Sequence, residues 1–113
     1  MSTNFTNEVI NEGDILIRFN IDRFDAALSP AFKEFFSDAV QQECPKVVLD
    51  LSSVAFMDSS GLGALISSLK QLNSQGSIVL VGLQPNVKGL MTLTRMDRLF
   101  PQYETLEELE SVS

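Results

Sequence analysis

The chain has 113 residues, 44% of them apolar, which is enough for one compact core and leaves no room for a second domain, so a single domain over 1–113 is expected. Net charge is −7, with eight Lys and Arg scattered singly and no histidine, which argues against nucleic acid as the main partner and excludes a Ser-His-Asp triad and histidine metal sites. The single cysteine, Cys44, can build neither an internal disulfide nor a zinc-binding cluster.

Residues 1–20 lack the basic start and long apolar run of a signal peptide, and no apolar stretch approaches membrane-spanning length. A cytoplasmic protein without membrane insertion is therefore expected. Phe5 to Ile10 and Ile15 to Phe19 flank a Glu12-Gly13-Asp14 turn and read as an opening hairpin. Phe19, Ile21 and Phe24 carry the alternation into a loop holding Asp22, Arg23 and Asp25. Ser29-Pro30 reads as a helix start, with Ser at the N-cap and Pro at the first helical position. Phe32, Phe35, Phe36, Ala39 and Val40 then mark one face of a helix expected to end near Glu43, closed by Pro45.

Val47 to Leu51, apolar except for Asp50, suits a strand buried on both faces. A second amphipathic helix carries Leu62, Leu65, Ile66, Leu69 and Leu72 and stops at Asn73-Ser74-Gln75-Gly76. Ile78 to Leu83 is another buried strand, and Pro85 opens a third helix with Val87, Leu90, Met91 and Thr94 inward. Phe100 to Tyr103 suits a short edge strand. Thr105-Leu106-Glu107-Glu108 is a capping-box pattern for a last helix carrying Leu106, Leu109 and Val112. The alternation after the hairpin implies an α/β fold: a mixed sheet of four to five strands, mostly parallel beyond the hairpin, covered by about four helices.

Chemistry on such sheets concentrates where strands end and helices begin. Asp58-Ser59-Ser60-Gly61 occupies such a point. Asp and Ser are preferred helix caps, so a plain cap accounts for part of the pattern. Capping needs one residue, however, and hydroxyls are left over beside Gly61, whose small size would let a partner backbone approach. The first turn of a helix also offers free N–H groups and positive partial charge, a natural seat for an added phosphate.

The run F-M-D-S-S-G-L-G-A-L, preceded by V-V-L-D-L-S-S-V, resembles the signature of anti-sigma factor antagonists, single STAS-domain proteins of bacterial partner-switching pathways. The resemblance extends to the hairpin, the G-S-I-V-L-V-G-L strand, the Pro85-Asn86-Val87 helix start and the tail. It implies that Ser59 is the phosphoacceptor and that Asp58, Ser60, Gly61 and Leu62 belong to the contact surface, with Asp22 contributing from the loop after the second strand. That loop departs from the family pattern, with Asn20 where a glycine usually precedes the aspartate; Asn tolerates positive φ better than most residues. The resemblance further implies a protein that binds an anti-sigma factor when unphosphorylated. The partner would be a serine kinase of the histidine-kinase-like ATPase class, which releases it by phosphorylating Ser59, and a PP2C-type phosphatase would restore binding. A second reading keeps the fold but makes the chain a constitutive subunit of a signalling complex or lipid-transport ATPase.

A small enzyme or nucleotide binder fits poorly, and no cofactor or metal is expected. Gly61-Leu62-Gly63 has no following lysine and is not a Walker loop. Asp22 and Asp25 read as a solvated acidic loop, Asp50 as a locally paired strand residue, the Phe32/Phe35/Phe36 stripe as core, and Cys44 as an inert small residue. The acids of the last segment suit the exposed first turn of its helix.

Overall fold

A computed structural model describes residues 4–10, 13–40, 46–72 and 76–111. Strands β1 (Phe5–Ile10) and β2 (Asp14–Phe19) form the antiparallel hairpin, with Phe5 opposite Phe19 and Ile10 opposite Asp14. Gly13 lies between them at φ +102°, which explains a glycine there. β4 (Lys46–Asp50), β6 (Ser77–Val81) and β7 (Gln102–Tyr103) add to β2 in parallel, giving the order β1-β2-β4-β6-β7. β3 (Arg23–Phe24) and β5 (Phe56–Met57) form a separate parallel pair. The helices are α1 (Ser29–Ala39), α2 (Ser59–Gln71), α3 (Pro85–Leu93) and α4 (Leu106–Ser111). The expected mixed α/β sheet is thus observed.

The apolar runs of β2, β4 and β6 are continuous because both faces are covered. Ile15, Ile17, Val47, Leu49, Ile78 and Leu80 pack with α1, α2 and α3 through Phe32, Phe36, Leu62, Leu65, Val87 and Met91. Their alternates Leu16, Val48, Val79 and Val81 point the other way and pack with Leu109 and Leu106 of α4. Phe5, Phe19, Phe24 and Phe32 fill one end of the larger core, with centroids 5.2 Å apart for Phe5–Phe19, 5.1 Å for Phe19–Phe24 and 4.9 Å for Phe19–Phe32. Edge-on and tilted ring pairs of this kind contribute about 0.5–1.5 kcal/mol each beyond burial. Arg18 bridges Glu8 on β1 and Asp50 on β4, tying the hairpin to the parallel strands.

Several boundaries differ from expectation. Ser29 is the first residue of α1 and not its cap; Leu28 holds the cap position, and the Ser29 hydroxyl donates to the Asp25 carbonyl at 2.8 Å. Asp25 turns the chain there by accepting the Ala27 N–H. α1 ends at Ala39, because Val40 is already extended (φ −112°, ψ 94°); Glu43, Cys44 and Pro45 lie outside the described residues, as do Glu12, the stop at 73–75 and Val112. β6 ends at Val81, since Gly82 takes φ +77° and breaks the extended run before Leu83. Its α-carbon lies against Ser52, where an added Cβ would come within 2.9 Å. Asn20 does not take the positive φ expected of a glycine substitute: Arg95 is the one non-glycine so placed among the described residues. The Asn20 N–H instead continues the hairpin by donating to the Asn4 carbonyl at 2.7 Å.

Candidate functional site: the start of α2

Between β4 and α2 the chain makes a tight turn, with the Asp50 carboxylate accepting the Ser52 N–H at 3.0 Å and the Val54 N–H returning to the Leu51 carbonyl at 2.9 Å. β5 then runs beside β3. The Asp22 carbonyl accepts the N–H groups of Ala55 (2.8 Å) and Phe56 (3.1 Å), so the backbone of the Asp22 loop is fastened to the strand leading into Asp58. Phe24 and Met57 are buried, whereas Phe56 faces outward and carries the Arg23 guanidinium 4.4 Å from its ring centroid. Arg23 also pairs with Asp25 at 3.7 Å. From α3, the Asn86 side-chain oxygen accepts the Met57 N–H at 3.4 Å.

Asp58 is the N-cap of α2, in extended backbone, and its Oδ1 accepts the N–H groups of Ser60 (2.9 Å) and Gly61 (3.0 Å). Ser59 and Ser60 follow as the first helical residues, both exposed, their hydroxyls unengaged among the described residues. An Asp cap thus does the capping and leaves two serine side chains facing solvent; Asp22, whose carbonyl is tied to the strand leading into the cap, is exposed as well.

Gly61 and Leu62 differ from expectation. Both are buried. A Cβ on Gly61 would lie 2.4 Å from the Phe24 carbonyl oxygen and 2.9 Å from the Met57 side chain, so the room at this glycine is occupied by the protein's own β3–β5 pair. Leu62 belongs to the main core. Of the two glycines in this motif, the one with open space is Gly63, two residues on and on the other side of the helix, where no atom lies within 4 Å of an added Cβ. The two positions should respond oppositely to alanine. Gly61→Ala should cost about 1–3 kcal/mol through overpacking against backbone, whereas Gly63→Ala should add about 1 kcal/mol from helix propensity. Urea denaturation of the two variants checks both signs.

Arg23, Phe56 and Asn86 also border this site and carried no warning in the sequence. Arg23 and Phe56 meet through the pairing of two-residue strands, and Asn86 reaches the site from the start of α3; no local periodicity encodes either approach. Among the described residues, no group of three or more Cys, Asp or Glu could hold a metal ion, and no helix is long and apolar enough to cross a membrane.

A STAS-domain profile matches residues 7–109. A curated anti-sigma F factor antagonist from Paenibacillus polymyxa is 30% identical over 109 residues, covering 91% of this chain and 92% of that protein. The crystal structure of an anti-sigma factor antagonist from Mycobacterium paratuberculosis matches at TM-score 0.80 and 27% identity, over 96% of this chain and 92% of the other. The Bacillus cell fate determinant SpoIIAA in its phosphorylated form has the same fold, at TM-score 0.68 and 18% identity over 96% and 99% of the two chains. The chain belongs to the STAS-domain family, together with relatives named as anti-sigma factor antagonists.

Proposed function

We propose that this protein is an anti-sigma factor antagonist whose docking is gated by phosphorylation of Ser59. In the unphosphorylated state it binds an anti-sigma factor, a serine kinase of the histidine-kinase-like ATPase class, through Ser59, Ser60, Asp58 and the Asp22 loop, and so frees a sigma factor or comparable output. Gly61 and Leu62 act from inside, by seating α2 against β3–β5. The kinase transfers a phosphoryl group to Ser59 and dissociates; a PP2C-type phosphatase reverses the mark. The protein is a kinase substrate and not a catalyst, and it works in the cytoplasm.

The observation that carries this reading is an exposed Ser59 hydroxyl directly after a cap whose carboxylate already holds the Ser60 and Gly61 N–H groups. A phosphoryl group adds roughly −1.5 to −2 charge. A helix N-terminus offsets about 0.3–1 kcal/mol of that, up to ~2 in favourable sites, but here Asp58 has taken much of the available donor capacity. The new charge therefore acts outward, on whatever docks, and leaves the core behind α2 in place.

Intact mass spectrometry after incubation with ATP and cell lysate from the source organism tests the assignment. A single phosphoryl adduct that maps to Ser59 and vanishes in Ser59→Ala is expected. Absence of modification would return the chain to the constitutive-subunit reading.

A further inference from the structure

The docking face around Ser59 lacks an apolar anchor. Asp22, Asp58, Ser59 and Ser60 are small and polar, and the Phe56 ring carries the Arg23 guanidinium over it. A stable interface spans roughly 800 Å2 on each partner and draws most of its affinity from a few large side chains near its centre. An interface of that size extends beyond these residues onto a neighbouring element. That element is α3, whose Asn86 side chain accepts the Met57 N–H one residue before Asp58.

Gly89 and Leu93 follow Asn86 at i+3 and i+7, so they stand on the same flank of α3, with Leu93 two turns and roughly 10 Å along the axis from Asn86. Leu93 is 83% exposed, more than Val9 or Leu99, the other exposed large apolar side chains among the described residues. Gly89 sits in mid-helix, where glycine is less favourable than alanine. Its φ is not positive and no atom lies within 4 Å of an added Cβ, so neither backbone nor packing requires it. With Leu83, Pro85 and Thr92, these two residues line an open, largely apolar groove of about 700 Å3. A lone exposed leucine is ordinary. One set beside a needless helix glycine, over an apolar groove, on the flank that leads to the phosphoacceptor, is not.

We propose that α3 extends the Ser59 docking face, with Leu93 as its apolar anchor and Gly89 as the gap that admits one apolar side chain of the anti-sigma factor. The assignment rests on the antagonist reading and adds to it the chemistry of the partner's contact. Charge complementarity fixes the direction. Asp22 and Asp58 make the Ser59 end of the face acidic. Arg95 and Arg98, exposed just beyond Leu93, outweigh Asp97 at the other end, and none of the ion pairs among the described residues uses them. The matching segment of the partner therefore carries a cation, then an apolar side chain, then a carboxylate. Anionic lipid fits less well, because a net charge of −7 repels it.

Calorimetric titration of the full chain against the anti-sigma factor, without ATP, tests the proposal. Leu93→Ala should bind about tenfold or more weakly and Leu93→Asp about a hundredfold or more, with melting temperatures unchanged because the side chain is exposed. Val9→Asp, on the edge strand β1, should bind as the parent does. Gly89→Gln should melt higher than the parent, from better helix propensity, and yet bind about tenfold more weakly by filling the groove; a purely structural glycine would show no such opposition. Unchanged affinity of Leu93→Asp beside a weakened Ser59→Asp would overturn this inference and leave the antagonist reading standing. No binding by the parent would overturn both. Unchanged affinity of Leu93→Asp together with Leu93-dependent self-association in sedimentation, or Leu93-dependent binding to anionic vesicles, would assign the groove to another occupant and overturn the inference as well.

Discussion

Ser59→Asp is expected to bind the anti-sigma factor about two to four decades more weakly than Ser59→Ala, as read by titration calorimetry. The estimate rests on burying a charge without a partner at an interface, which costs on the order of 3–5 kcal/mol. Asp carries less charge than a phosphoryl group, so its effect belongs at the lower end of that range. The Asp58 carboxylate next to it sharpens the repulsion, because it already occupies the helix N-terminus and cannot be displaced without uncapping α2. Both variants should keep the parent stability within about 0.5 kcal/mol, since the side chain being changed is exposed and neither packs in the core nor caps the helix. Equal affinities for the two would remove the switch.

Phe24→Ala should be the most damaging single truncation near the site, lowering stability by about 3–5 kcal/mol in urea with an unchanged m-value. The ring is fully buried and lies between Phe19 at 5.1 Å and Phe32 at 5.4 Å, with Phe5 at 6.3 Å, so its removal opens a cavity that three other rings cannot readily collapse into. Phe24 also pairs in register with Met57, one residue before the Asp58 cap. Under conditions where the variant stays folded, the Asp22 loop loses its anchor and docking weakens even though Ser59, Ser60 and Asp58 are untouched. A loss below about 1 kcal/mol would mean that the aromatic cluster is not packed as described.

The sheet and helices were readable in the sequence wherever burial imposes a period. Val47–Leu51 reads as a two-sided strand because α2 and α4 cover opposite faces of it, and the α2 stripe of Leu62, Leu65 and Leu72 reads as a helix face for the same reason. Pro85 marked the start of α3 correctly, since a proline costs nothing at a first helical turn. Ser29-Pro30 misled by one residue: the chain turns on Asp25, whose carboxylate and carbonyl take the local donors, and this leaves Ser29 inside the helix. The β3–β5 pair was invisible because two-residue strands have no periodicity to display.

The candidate site divides along the same line. Asp58-Ser59-Ser60 is a local motif, and the exposure of its serines follows from the helix start it encodes. The inward role of Gly61 is set by Phe24, a residue on another strand, and no local pattern distinguishes a glycine that admits a partner from one that admits its own chain.

The most direct measurement compares unmodified protein with protein carrying a single phosphoryl group on Ser59, in calorimetric titrations against the anti-sigma factor, with amide NMR spectra of both forms. The account predicts affinity lost by two decades or more, with spectral changes confined to the start of α2 and the Asp22 loop. Equal affinity of the two forms, or a loss of binding accompanied by collapse of the whole spectrum, would contradict it.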